Sequence, residues 1–132
     1  MTVIDSSAIV DLLLGIGVAP QVQALIEAEG ELAAPDLLVF EVVAVLRRET
    51  LRGGLDERRA AAAVADLGDV QLGLFPSLAL RERAFALREN LTAADALFAA
   101  LAEQLDEPLA TKDEPLARAV VAHTRARAIA LS

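Results

Sequence analysis

Residues 2–14 read TVIDSSAIVDLLL, and this stretch decides the fold. Thr2 to Asp5 is a short apolar run closed by an acid, which predicts a strand. Ser6 to Leu14 then carries a helical pattern, and Gly15 and Gly17 stop it. A strand that passes directly into a helix opens a β-α unit, whose strands lie parallel. The chain repeats this theme. Pro20 to Glu29 suits a second helix, with Pro20 at its start and Gly30 just past its end. Leu32 to Ala34 predicts a strand before Pro35. Asp36 is placed to cap a helix running to about Leu51, where Gly53 and Gly54 stop it. Asp56 can cap a further helix that ends near Gly68. Val70 to Phe75 follows as a third strand, closed by Pro76. Leu78 to Glu89 is helical, and Thr92 opens another helix through about Leu105. Leu109 to Thr111 is a fourth strand, Glu114 to His123 a helix, and Ala128 to Leu131 a last strand.

The resulting order is β-α-α-β-α-α-β-α-α-β-α-β. It predicts a three-layer α/β/α sandwich with a mostly parallel sheet, forming one domain over residues 1–132. Right-handed crossovers then bring ligand chemistry to the carboxyl ends of the strands.

Composition narrows the chemistry. Hydrophobic residues make up 55% of the 132, which excludes intrinsic disorder. Cysteine is absent and His123 is the single histidine, so thiolate and multi-histidine metal sites are excluded. A metal would be held by oxygen, which favours magnesium or manganese over zinc or copper. Twenty acidic side chains against 12 basic ones leave a net charge of −8, the reverse of a simple phosphate-binding surface. The aromatics are Phe40, Phe75, Phe85 and Phe98, a poor supply for stacking single-stranded bases. Residues 12–26 form the longest uncharged stretch, and Gly15, Gly17, Pro20, Gln21 and Gln23 interrupt it, so no membrane span is expected. The start of the chain lacks the positive flank of a signal peptide, which points to the cytoplasm.

Four acids occupy telling positions. Asp5 ends the first strand, where it can cap a helix or ligate a metal at the sheet edge. Glu41 shares a helical stripe with Leu37, Leu38, Ala44 and Val45, and a carboxylate facing a core needs a partner. Asp95 follows Thr92 at capping-box spacing and lies in the first turn of its helix. Asp113 stands two residues beyond the strand 109–111, a natural N-cap before Pro115. Each acid taken alone has a structural explanation. Together they strain it, because Asp5 and Asp113 share one edge of the predicted sheet and neighbouring strands are about 4.8 Å apart. Four converging carboxylates repel one another unless a divalent cation is bound. Such a cation would also let an acidic protein approach RNA.

These segments resemble a known family. VIDSSAIVDLLL at 3–14, APDLLVFEVVAVLRR at 34–48, LTAADALFAALAEQL at 91–105 and PLATKDEPLARA at 108–119 look like the four signature blocks of PIN domains. Within that fold they most resemble the VapC-type toxins of bacterial toxin–antitoxin pairs. The likeness runs in order along essentially the whole chain. The family's four acids match Asp5, Glu41, Asp95 and Asp113, with Ser7 and Thr111 at its supporting hydroxyl positions. Ala94 and Phe98 stand where many relatives carry Tyr, and Glu114 adds a carboxylate where a basic or polar residue is common. The resemblance implies a PIN-like fold and a Mg2+- or Mn2+-dependent endoribonuclease, with metal held by Asp5, Asp95, Asp113 and Glu41. It also implies a cognate VapB-type antitoxin and a homodimer. Arg47, Arg48, Arg52 and Lys112 are candidate phosphate contacts, although a solvated helix face accounts for the arginines equally well.

Three rivals are weighed against this reading. A phospho-accepting receiver domain needs an acid ending its central strand, and Val70 to Phe75 runs into Pro76 with none. A haloacid-type phosphatase needs Asp-x-Asp after the first strand, and Asp5-Ser6-Ser7 lacks the second acid. The third is a non-catalytic PIN-like binding domain whose acids are structural helix caps. Against it stands the apolar flank of Glu41.

Overall fold

The computed structural model describes residues 1–132. Its elements follow the predicted order: β1 (Val3–Ile4), α1 (Ser6–Leu14), α2 (Ala19–Glu29), β2 (Leu32–Pro35), α3 (Leu37–Leu51), α4 (Glu57–Leu67), β3 (Leu72–Phe75), α5 (Arg81–Ala86), α6 (Ala93–Leu105), β4 (Leu109–Thr111), α7 (Glu114–His123) and β5 (Ala128–Ala130). A 3₁₀ turn over Ser77–Leu80 leads into α5. All five strands are parallel, in the order β3-β2-β1-β4-β5. Seven helices flank this sheet, giving the expected α/β/α sandwich.

Central strands of a parallel sheet are covered on both faces and need side chains that tolerate burial everywhere. β1, β2 and β4 meet that demand at every position. The edge strands β3 and β5 are only partly covered. α6 lies across β1, β2 and β4 and packs against α5. Its alanines 96, 99, 100 and 102 are all buried, and their small side chains let the helix axis come close to the sheet. α1 packs on α2, α3 and α4. The buried stripe of α3 is Leu38, Val42 and Leu46, repeating every four residues as one helical face does. No single helix is long and apolar enough to cross a membrane.

Three local expectations change. Asp36 does not cap α3: its own backbone is already helical and its carboxylate makes no bond to the following turn. Instead it accepts hydrogen bonds from the backbone N–H of Ser77, at 3.1 Å, and from the Ser77 hydroxyl, tying the start of α3 to the segment after β3. The third strand starts at Leu72 rather than Val70, because a turn occupies the residues before it. The helix expected over Leu78 to Glu89 is a 3₁₀ turn followed by the short α5. Leu80 and Leu87 are buried there while Leu78 and Phe85 are exposed, so no continuous apolar stripe holds one long helix together.

The strand order fixes where a site can form. From β1 the chain builds outward through β2 to β3, then returns to the other side of β1 with β4 and β5. In an open parallel sheet, such a reversal leaves a crevice beyond the carboxyl ends of the strands. Asp5 and Thr111 stand at that point.

Candidate active site

The site is built outward from Asp5. The N–H of Asp5 bonds to the Ala110 carbonyl, at 3.2 Å, which continues the β1–β4 ladder to the strand ends. Its side chain is buried and uses both oxygens. Oδ1 accepts from the Ala8 N–H and the Ser7 hydroxyl, each at 3.0 Å, and so caps α1. Oδ2 accepts from the Thr111 hydroxyl across the strand pair. Asp5 is therefore a helix cap and a member of the candidate site at once. Burial pushes its carboxyl above the ordinary range, against the pull of Thr111, Ala8 and Ser7, and the Asp113 charge adds to the rise.

Thr111 also places the next acid. Its Oγ1 accepts the backbone N–H of Asp113 at 3.0 Å. Asp113 in turn caps α7 by accepting from the Leu116 N–H at 3.0 Å. One buried hydroxyl thus connects the Asp5 carboxylate to the backbone of Asp113, more than a hundred residues away in sequence.

Glu41 sits half-buried in the second turn of α3, beyond the first turn whose N–H groups a cap would serve, and its side chain caps nothing. Its Oε1 accepts from the hydroxyl of Ser6 at 2.5 Å. Burial raises its carboxyl, Ser6 opposes the rise, and the charges of Asp95 and Asp5 add to it. Asp95 lies in the first turn of α6, where its N–H bonds the Thr92 hydroxyl at 3.1 Å. Burial raises this carboxyl too, Thr92 opposes, and the charges of Asp113 and Asp5 reinforce it. Asp5, Glu41, Asp95 and Asp113 therefore form one electrostatically coupled cluster drawn from β1, α3, α6 and the β4–α7 turn. Opposite charge is missing from it: no basic side chain bonds any of the four. The donors are all oxygens, which suits a hard divalent cation. No three of them already stand at metal-ligand geometry around a common point.

The basic candidates lie elsewhere. The Lys112 ammonium pairs with Asp11 at 2.9 Å. Arg48 and Arg52 make long, exposed contacts to Glu49, at 3.9 and 3.6 Å. They stand seven and eleven residues after Glu41, so all three share one face of α3. Arg47 is exposed on another face, beside Val43 and Leu51. Two polar residues were missed by the sequence reading. Ser6, rather than its neighbour Ser7, holds Glu41. Asp11 is the partner of Lys112. A run of two serines after a strand could have suggested two separate tasks; nothing local marks Asp11.

Comparison with known proteins shows the family. The PIN domain profile matches residues 2–121, and the chain belongs to the PIN domain family. Within that family it is similar to the VapC ribonucleases of Mycobacterium tuberculosis. Ribonuclease VapC1 is 41% identical over 118 residues, 89% of each chain. Ribonuclease VapC9 is 40% identical over 116 residues, 86% of each chain. Ribonuclease VapC12 is 30% identical over 118 residues, 89% of this chain and 91% of its own. Among solved structures, PAE2754 from Pyrobaculum aerophilum superposes with a TM-score of 0.68 at 22% identity, over 96% of this chain and 86% of that one. At that identity the likeness speaks for the fold alone.

Proposed function

We propose that this chain is a Mg2+- or Mn2+-dependent endoribonuclease and the toxin of a toxin–antitoxin pair. The observation that carries the proposal is the coupled cluster of four carboxylates at the sheet's reversal point, in a chain that matches named ribonucleases over most of its length. Asp5, Asp95 and Asp113 would hold the cation, with Glu41 at its edge. When bound, the cation supplies positive charge for the phosphoryl oxygens and makes water a better nucleophile near neutral pH. Asp5 is oriented by Thr111 and Ser7, so its carboxylate is fixed before substrate arrives. Glu41 is held through one oxygen by Ser6, which leaves the other to orient a water. Arg48 and Arg52, about 10–17 Å along α3 from Glu41, are placed to meet flanking phosphates. Their exposed contacts to Glu49 are weak enough to exchange for phosphate.

Two of the four acids do cap helices, which is the observation favouring a purely structural, non-catalytic reading. Glu41 and Asp95 weigh against it. Glu41 caps nothing, and both carboxyls are raised first by burial and then by their neighbours' negative charge, with no cation beside them to relieve it.

The same cluster fits an arginine of a VapB-type antitoxin, since a guanidinium pairs with two carboxylates in a fixed fork. A homodimer and a cytoplasmic setting complete the reading. The test is RNA cleavage by wild type with Mg2+ or Mn2+, set against Asp5→Asn and Asp95→Asn proteins whose circular dichroism shows that they fold. Cleavage that needs the cation and vanishes in both variants is expected. Equal cleavage by variant and wild type would refute the site. Growth arrest on expression without an antitoxin tests the toxin role, and normal growth with abundant protein counts against it.

A further inference from the structure

Asp11 is a charged residue in the interior of α1, only 3% exposed. A carboxylate so placed needs both oxygens satisfied, and two separate segments satisfy them. Oδ2 accepts the N–H of Val18, at 3.0 Å, from the turn between α1 and α2. Oδ1 accepts the ammonium of Lys112, at 2.9 Å, from the turn between β4 and α7. The α1–α2 turn is shaped around this carboxylate. Gly17 has φ +50°, and a Cβ there would lie 2.1 Å from Asp11 Oδ2. Lys112 is the only cation paired with Asp11.

Lys112 lies between two residues of the candidate site. Before it, Thr111 donates to Asp5 and accepts the Asp113 N–H, and its carbonyl is held by the Leu131 N–H at 2.8 Å. After it, Asp113 faces the cluster. The Thr111 end is anchored by the sheet, whereas the next two residues leave it. Within the departing segment the Asp113 contacts to Thr111 and Leu116 are local, and the Lys112 side chain, reaching back to α1, is the tie that fastens it to another element.

We infer that the Asp11–Lys112 pair is a positioning device: it sets the β4–α7 turn so that the Asp113 carboxylate stands in the acidic cluster. Lys112 is then not a hand for substrate phosphate. The role rests on the proposed metal-binding reading only for its purpose. The geometric claim, that the pair holds the turn, stands apart from it.

The experiment follows from that separation. The variant D11N/K112M removes the tie and leaves no buried charge alone, since the Asn amide oxygen still accepts from Val18. In chelator-treated protein, amide hydrogen exchange is read by NMR at Asp113 and Leu116, whose N–H groups bond Thr111 Oγ1 and Asp113 Oδ1. Exchange at these two positions is expected to quicken at least about tenfold, with Val3 in the sheet unchanged. K112R, which keeps a cation for Asp11, is expected to stay within about threefold of wild type. No change at Asp113 and Leu116, or an equal change throughout the chain, would overturn the inference.

A Mn2+ titration by calorimetry adds a test of sign. Deleting a positive charge near a cation site strengthens binding if charge alone matters. If Lys112 positions Asp113, K112M weakens Mn2+ binding by at least about tenfold and K112R restores it. Tighter or unchanged binding in K112M refutes the positioning role. Failure of wild type to take up Mn2+ would sink the metal reading, while the exchange measurement still decides the role of the pair.

Discussion

Replacing Asp95 by its neutral isostere should reverse the stability ranking of mutant and wild type according to whether divalent cations are present. The Asp95 carboxyl is held above its ordinary range first by burial, then by the charges of Asp113 and Asp5, with Thr92 opposing. A carboxyl raised in the folded state favours folding only while it is protonated. That contribution is full below the ordinary aspartate range and is lost as pH rises through the folded value. At neutral pH the ionised Asp95 therefore works against the fold. Asp95 is half-exposed, so screening limits the repulsion that Asp95→Asn relieves to about 1 kcal/mol. The helix dipole favours an acid in the first turn of α6 by about 0.5 kcal/mol, which offsets part of the gain. The net is about 0.5 kcal/mol, or about 2 °C in melting temperature for a domain of this size. With Mg2+ or Mn2+ at about a hundred times its dissociation constant, wild type gains about 2.7 kcal/mol, most of which the variant forgoes. Scanning calorimetry with chelator and with excess cation should show the two curves change places. In acid below the carboxylate range the metal-free gap should close. A variant that melts below wild type in chelator at neutral pH, by the same margin in acid, would refute the claim that these carboxylates repel.

Other perturbations test separate parts of the structure. Ser6→Ala removes the hydroxyl that opposes the rise of the Glu41 carboxyl, so Glu41 should titrate at higher pH in a carbon-13 NMR titration, with about 1 kcal/mol lost in stability; an unmoved midpoint contradicts the contact. Gly17→Ala places a Cβ against Asp11 at a positive φ, and urea unfolding should show a loss of about 1–3 kcal/mol. Glu103 is bound by Arg83 at 2.7 and 3.0 Å and by the Arg125 N–H at 2.9 Å. Glu103→Ala should cost about 1–3 kcal/mol, less than a fully buried pair because Arg83 can turn to water. The Arg83 guanidinium holds the Glu103 carboxyl below its ordinary range, so this contribution is present above the ordinary glutamate value and lost as pH falls through the depressed one. Urea midpoints for wild type and variant should therefore draw together in acid.

The order of elements was legible because its signals are local. Gly15 takes φ +66° to end α1, Pro20 sits in the first turn of α2, and Thr92 and Asp113 cap the helices they precede. Each is a backbone preference expressed within a few residues. The miss at Asp36 shows the limit of the same logic. An acid before a helix is a good cap, yet Ser77 offered two donors from a segment that no local rule brings near.

What the sequence determined alone was the alternation of strand and helix, the burial of the central strands, and the presence of an acid at each of four segment ends or stripes. These depend on residue type and periodicity, which the chain carries wherever it goes. Only the tertiary structure decided that β4 returns beside β1, so that Thr111 reaches Asp5. It also decided that Ser6 rather than Ser7 holds Glu41, and that Lys112 turns to Asp11. Contacts spanning a hundred residues leave no local trace, because packing of the whole sheet chooses them and short-range backbone preference does not.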